Sequence, residues 1–137
     1  HVYNRSYWEN GEVIMQVLKE EHADFIVLAG FMLLIPDSIV KAYPNSIFNI
    51  HPALLPKFGG QGMYGMHVHE AVKSAGEKES GITIHFVNEN YDEGQIIAQA
   101  SCTIDSSDAA EEIAKKVLKL EHENYPKVVA EVIRKST

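Results

Sequence analysis

Two short apolar runs separated by one helical stretch constrain this chain more than any other feature. Phe25-Ile26-Val27-Leu28-Ala29, bounded by Gly30, has no polar alternation and reads as a buried strand of a parallel sheet. Pro36-Asp37-Ser38 opens a helix over residues 38 to 43, which Pro44-Asn45 stops. Residues 47 to 51 form the next strand. Strand, helix and strand at this spacing make a right-handed βαβ unit, and such units bind ligands beyond the carboxyl ends of their strands.

The second strand ends in Phe48-Asn49-Ile50-His51-Pro52-Ala53-Leu54-Leu55-Pro56. Residues i and i+2 of a strand share a face, so Asn49 and His51 can aim at one reacting atom. Pro52 and Pro56 end regular pairing, because proline has no N–H to give a ladder. An amide that donates to a developing oxyanion and an imidazole that moves a proton are two parts an acyl transfer needs. Taken alone, Asn and His at a strand end also serve as turn and cap residues.

At 137 residues, 45% of them hydrophobic and 23% charged, the chain fits one domain spanning residues 1–137. The net charge of −7 argues against nucleic acid or an anionic membrane surface as a partner. The longest apolar run, residues 25 to 36, is too short to cross a bilayer. The single cysteine, Cys102, fits a reducing compartment and reads as a buried small hydrophobe in a strand. The first residue is His1 and not Met, which reads as a processed or truncated product with residues missing upstream.

Residues 8 to 21 carry Trp8, Val13, Ile14, Val17 and Leu18 at helical spacing. Gly59, Gly60, Gly62 and Gly65 mark residues 57 to 65 as an exposed loop, with a lid as one role; no Lys-Ser or Lys-Thr follows to make a phosphate cradle. A helix follows from His67 to near Gly76. Ile82, Ile84 and Phe86 alternate with polar partners, and residues 96 to 103 are extended, so the turn-rich stretch between them makes an antiparallel hairpin near 81–103. The last element, residues 108 to 135, is a long amphipathic helix capped by Ser107 or Asp108, which Pro126 should break or kink. The fold expected is a three-layer α/β sandwich with a mostly parallel sheet and its N-terminal strands missing.

Asp92, in the hairpin loop Tyr91-Asp92-Glu93-Gly94, is a third candidate: a carboxylate there can orient His51 and favour its charged form. An Asp beside a Gly is also an ordinary turn residue. His67, His69 and His85 invite a zinc reading, but His67 and His69 point to different faces of a helix and no pair has structural-zinc spacing, so no metal is expected. His85 reads as a packed strand histidine with a backbone partner, a supporting role beside Asp92 being the alternative.

Residues 27 to 32, residues 48 to 57 and Gly81-Ile82-Thr83-Ile84-His85-Phe86-Val87 with Tyr91-Asp92-Glu93-Gly94 together resemble the 10-formyltetrahydrofolate-dependent formyltransferase family. The likeness runs in order over nearly the whole chain and is greatest to the purine-pathway branch whose acceptor is glycinamide ribonucleotide. It implies a Rossmann-like fold and a cytoplasmic enzyme that moves a formyl group from the folate to the ribonucleotide's amine. By the same likeness, Asn49, His51 and Asp92 are catalytic, with the proton passing through His51 or an ordered water. Arg5, Met32, Leu33, Leu34, Ile35 and Asn49 face the folate, while Pro52 and Glu121 face the ribonucleotide. The family's glycine-rich phosphate-holding segment has no counterpart here, which implies an inactive or very weak chain by itself. Residues 59 to 64 resemble an insertion, and Tyr91 and Gln95 stand where the family has Leu and Pro, changes that leave Asp92's role intact. Related folate enzymes are the nearest rivals: a formyltetrahydrofolate hydrolase, or a transfer RNA or sugar-amine formyltransferase. An inactive folate-binding fragment is a reading of another class. A homodimer is left open.

Overall fold

The computed structural model describes residues 11–28, 35–89 and 94–136. In chain order these form α1 (Glu12–Glu20), β1 (Ile26–Val27), α2 (Asp37–Ala42), β2 (Ile47–His51), α3 (Met66–Ser74), β3 (Glu79–Phe86), β4 (Ile96–Thr103) and α4 (Ala110–Lys135). The four strands lie in the order β1-β2-β3-β4. β1 and β2 run parallel, as a βαβ unit requires, whereas β2 with β3 and β3 with β4 run antiparallel. The mostly parallel sheet expected from the sequence is thus corrected to a mixed one: β3 returns through α3 and its flanking loops in the opposite direction, and the hairpin adds a second antiparallel pairing.

The period of two along β2 sorts its side chains between two cores. Phe48 and Ile50 point to one face, where they meet Val72 of α3 and Ile113, Val117 and Val129 of α4. Ile47 points to the other, where it meets Ile14 of α1 and Ile39 and Val40 of α2. Helices on both faces make the expected three layers. Each fully buried large apolar side chain contributes about 1.5–3 kcal/mol by leaving water, so the two cores together hold β2 at the centre of the sandwich.

Several boundaries and caps differ from expectation. Asp108 does not cap α4; the N-cap position falls on Ala109, whose N–H is 3.5 Å from Glu112 Oε1. The Asp108 carboxylate is used one turn earlier, accepting from the Asp105 N–H at 3.0 Å, and it pairs with Lys116 Nζ at 2.5 Å. Pro126 lies inside α4 without breaking it. Its missing N–H forfeits one helical bond, while Tyr125 and Val129 on either side stay in the core that holds Ile113 and Val117. Cys102 is half-buried on β4 and not fully buried, because β4 is the edge strand. No described helix is long and apolar enough to cross a membrane.

Candidate active site

Asn49 and His51 lie where strand periodicity puts them, on one face at the carboxyl end of β2. The register with β3 sets His85 across from Asn49 and Thr83 across from His51, and the register with β4 sets Gln99 across from Thr83. Registered partners share a face. The sheet therefore carries an apolar face under α3 and α4 and, beyond the cover of α1 and α2, a polar group on the other: Asn49, His51, Thr83, His85 and Gln99. Most of it is buried, with His51 at 3% exposure and Thr83 at 0%.

His51 Nε2 lies 2.6 Å from the Phe58 carbonyl oxygen. A carbonyl only accepts, so Nε2 carries a hydrogen. Phe58 reaches this position with φ at 58°, in the left-handed region that a bulky side chain rarely adopts. Asn49 is half-buried, and its Oδ1 is a buried acceptor with no hydrogen-bond partner among the described residues. A buried polar atom in that condition is unfavourable by about 1–3 kcal/mol until a donor reaches it. Amines and amides are such donors.

His69 on α3 is not among the site residues that the sequence suggests. It is buried, its Nδ1 has no hydrogen-bond partner among the described residues, and His67 two positions earlier is exposed. Burial first, and then the nearby His51, lower its pKa, so it stands neutral beside the site at pH 7. The described residues hold no cluster of three or more His, Cys, Asp or Glu suited to a metal ion. His85 has the expected backbone partner, with Nδ1 3.0 Å from the Phe86 carbonyl.

Pro52 directly follows β2 and is half-buried. Glu121 sits half-buried on α4, where burial raises its pKa and His122 opposes the shift. One turn on, the Tyr125 hydroxyl donates to the Leu28 carbonyl at 2.5 Å, tying this part of α4 to the exit of β1. Ile35 is packed with Ile39 and Val40 in the core beneath α1 and α2, so its side chain is structural and only its backbone is left for a ligand.

Arg5, Met32, Leu33, Leu34 and Asp92 lie outside the described residues. The roots of the Asp92 loop are described. Phe86, at the end of β3, pairs in register with Phe48, the Val87 N–H bonds Ile47 O at 2.9 Å, and the Phe86 N–H bonds Gln95 O at 2.9 Å. The loop thus springs from the beginning of β2, the end opposite His51. Gly94 makes close passage at the root feasible: a Cβ there would fall 1.6 Å from the Phe86 carbonyl oxygen.

An α/β/α sandwich with an amide and an imidazole at the end of its second strand holds two of the groups that an acyl transfer needs. Residues 3–129 match the formyl transferase family, and the chain belongs to it. Its likeness narrows further within that family. Over 119 residues it is 50% identical to the chloroplastic phosphoribosylglycinamide formyltransferase of Arabidopsis thaliana, covering 87% of this chain and 41% of that protein. Over 122 residues it is 41% identical to phosphoribosylglycinamide formyltransferase of Bacillus subtilis (strain 168), covering 89% of this chain and 60% of that protein. The crystal structure of phosphoribosylglycinamide formyltransferase from Bacillus halodurans matches with a TM-score of 0.83 at 38% identity, covering 98% of this chain and 66% of that one. The chain thus spans 41% and 60% of the length of these two curated relatives.

Proposed function

We propose that this chain carries the formyl-transfer site of a cytoplasmic enzyme that moves a formyl group from 10-formyltetrahydrofolate to the amino group of glycinamide ribonucleotide. The observation that carries the reading is the end of β2, where Asn49 Oδ1 is a buried acceptor without a partner among the described residues, two positions from a buried His51. Bound folate supplies an activated formyl carbon, and Arg5 and the backbone of residues 32 to 35 are the groups assigned to hold it. At that carbon a bond to the incoming amine forms and the bond to the folate nitrogen breaks. One proton must therefore leave the amine and one must reach the leaving nitrogen.

Asn49 has a role on each side of this exchange. Its Oδ1 accepts an N–H of the attacking amine and aligns the nitrogen lone pair; its Nδ2 donates to the formyl oxygen as negative charge develops there. His51 acts with Nε2–H committed to Phe58, so that protonation at Nδ1 places a full positive charge near the same oxygen and loss of that proton serves the relay. Asp92 stabilises the imidazolium. Pro52 and Glu121 face the ribonucleotide.

The test is product identity. The longest natural polypeptide that carries this sequence, given both substrates, should yield tetrahydrofolate and formylated glycinamide ribonucleotide in equal amounts. Release of formate without formylated amine would replace this reading with hydrolysis on the same fold, and no consumption of the folate would end it.

A further inference from the structure

The seven residues after His51 belong to no ladder, yet Ala53 and Leu55 are buried. Two side chains from the hairpin satisfy them. Thr83 Oγ1 donates to the Ala53 carbonyl at 2.7 Å and accepts the Leu55 N–H at 3.0 Å. Gln99 Nε2 donates to the Leu55 carbonyl at 3.0 Å and to Thr83 Oγ1 at 2.9 Å. The hydroxyl thus gives its one hydrogen and accepts two, and both amide hydrogens of Gln99 are used. Gly81 leaves space for both neighbours, since a Cβ there would fall 2.0 Å from the Ala100 carbonyl oxygen of β4 and 2.9 Å from Leu54 Cδ2 of the loop. Three residues beyond Leu55, the same loop delivers the Phe58 carbonyl to His51 Nε2. Thr83 itself lies across from His51 in register, so the connection closes into a ring: His51, Thr83 with Gln99, the backbone of residues 53 to 55, Phe58, and back to His51.

We infer that Thr83 and Gln99 are positioning residues for His51: they grip the loop so that the Phe58 carbonyl keeps the hydrogen of the neutral imidazole on Nε2 and fixes the ring. The importance of that tautomer for formyl transfer rests on the function proposed above, whereas the tautomer itself is a property of the resting protein. Without the grip, three buried main-chain groups lose their partners, the loop moves, and the ring is no longer committed to one tautomer. A catalytic group displaced by about 1 Å can lose on the order of 100-fold in rate with its chemistry intact.

The experiment pairs ring nitrogen-15 NMR of histidine-labelled protein with steady-state kinetics, in the longest natural polypeptide carrying this sequence. His51 is assigned by its loss in His51→Gln. At a pH high enough to leave the ring neutral, His51 of the unmodified protein and of Thr83→Ser should show a widely split pair with the proton on Nε2. Thr83→Val and Gln99→Leu should collapse that splitting and lower kcat about tenfold or more, with KM for each substrate within about twofold and Thr83→Ser restoring most of the rate. Gln99 lies on the exposed edge strand, so Gln99→Leu keeps the test open where Thr83→Val fails to fold. A fixed Nε2–H pattern in a folded Gln99→Leu variant would overturn the inference, and so would a collapsed pattern with undiminished kcat. Failure of the unmodified protein to transfer formyl would count against the proposed function and leave the tautomer result to decide this one.

Discussion

Asn49 and His51 show how far a single residue's neighbours in sequence can predict its surroundings. Their shared face follows from the period of a strand, and the structure puts them there. Thr83, Gln99 and His69 follow no such rule. They reach the site through strand register and the packing of α3, and Thr83 lies 28 positions from the Leu55 N–H it binds. Asp108 is a different case: its place before a helix was legible, but its partner was not, because Lys116 lies two turns into α4. Its hydrogen bond from Lys116, and then that from the Asp105 N–H, lower its pKa below the ordinary 3.8. Stability from a depressed carboxylate is complete above the ordinary value and is lost as pH falls through the lowered one. Urea midpoints of the unmodified chain and Asp108→Asn should therefore differ at pH 7 and converge as pH drops well below 3.8. A gap that stays constant with pH would assign the effect to something other than ionisation.

Among the elements, the ends of α1 and α3 form a natural comparison. Both close with the same pair of bonds: His22 N–H to Lys19 O and Ala23 N–H to Leu18 O after α1, Gly76 N–H to Lys73 O and Glu77 N–H to Val72 O after α3. The residue in the left-handed conformation is Gly76 in one and His22, at φ 54°, in the other. A Cβ in that region costs about 1–2 kcal/mol, of which glycine returns about 0.5–1 through its freedom in the unfolded chain. His22 is exposed, so little packing is at stake. His22→Gly should raise stability by about 0.5–1 kcal/mol in urea titration, and a loss would refute the assignment of strain. Gly76 announced the end of α3 in the sequence because glycine there is the common solution, whereas the end of α1 carried no such mark. Pro126 misled in the opposite direction, since a proline predicts a break and the burial of Tyr125 and Val129 on either side overrides the lost hydrogen bond.

For the whole molecule, layer order was legible and strand direction only partly so. Apolar runs and helical stripes predict helices on both faces of a sheet, and a strand-helix-strand spacing predicts the parallel β1-β2 pair. Nothing in composition distinguishes a third parallel strand from an antiparallel one when a helix intervenes, and β3 turned out antiparallel to β2. That direction matters for the site. It sets Phe86 and Val87 beside the beginning of β2 and Thr83 across from His51 at its end. Under the proposed function, the end of β2 is the seat of the reaction. The most direct test is kcat/KM for formyl transfer to glycinamide ribonucleotide in the longest natural polypeptide carrying this sequence, measured for Asn49→Ala and His51→Ala alongside the unmodified protein. Loss of one oxyanion donor or of one proton-transfer group lowers rate by about 10²–10³-fold and 10²–10⁴-fold respectively. Falls of at least 100-fold in both folded variants are predicted; activity within threefold of the unmodified protein in either would contradict the assignment of the site.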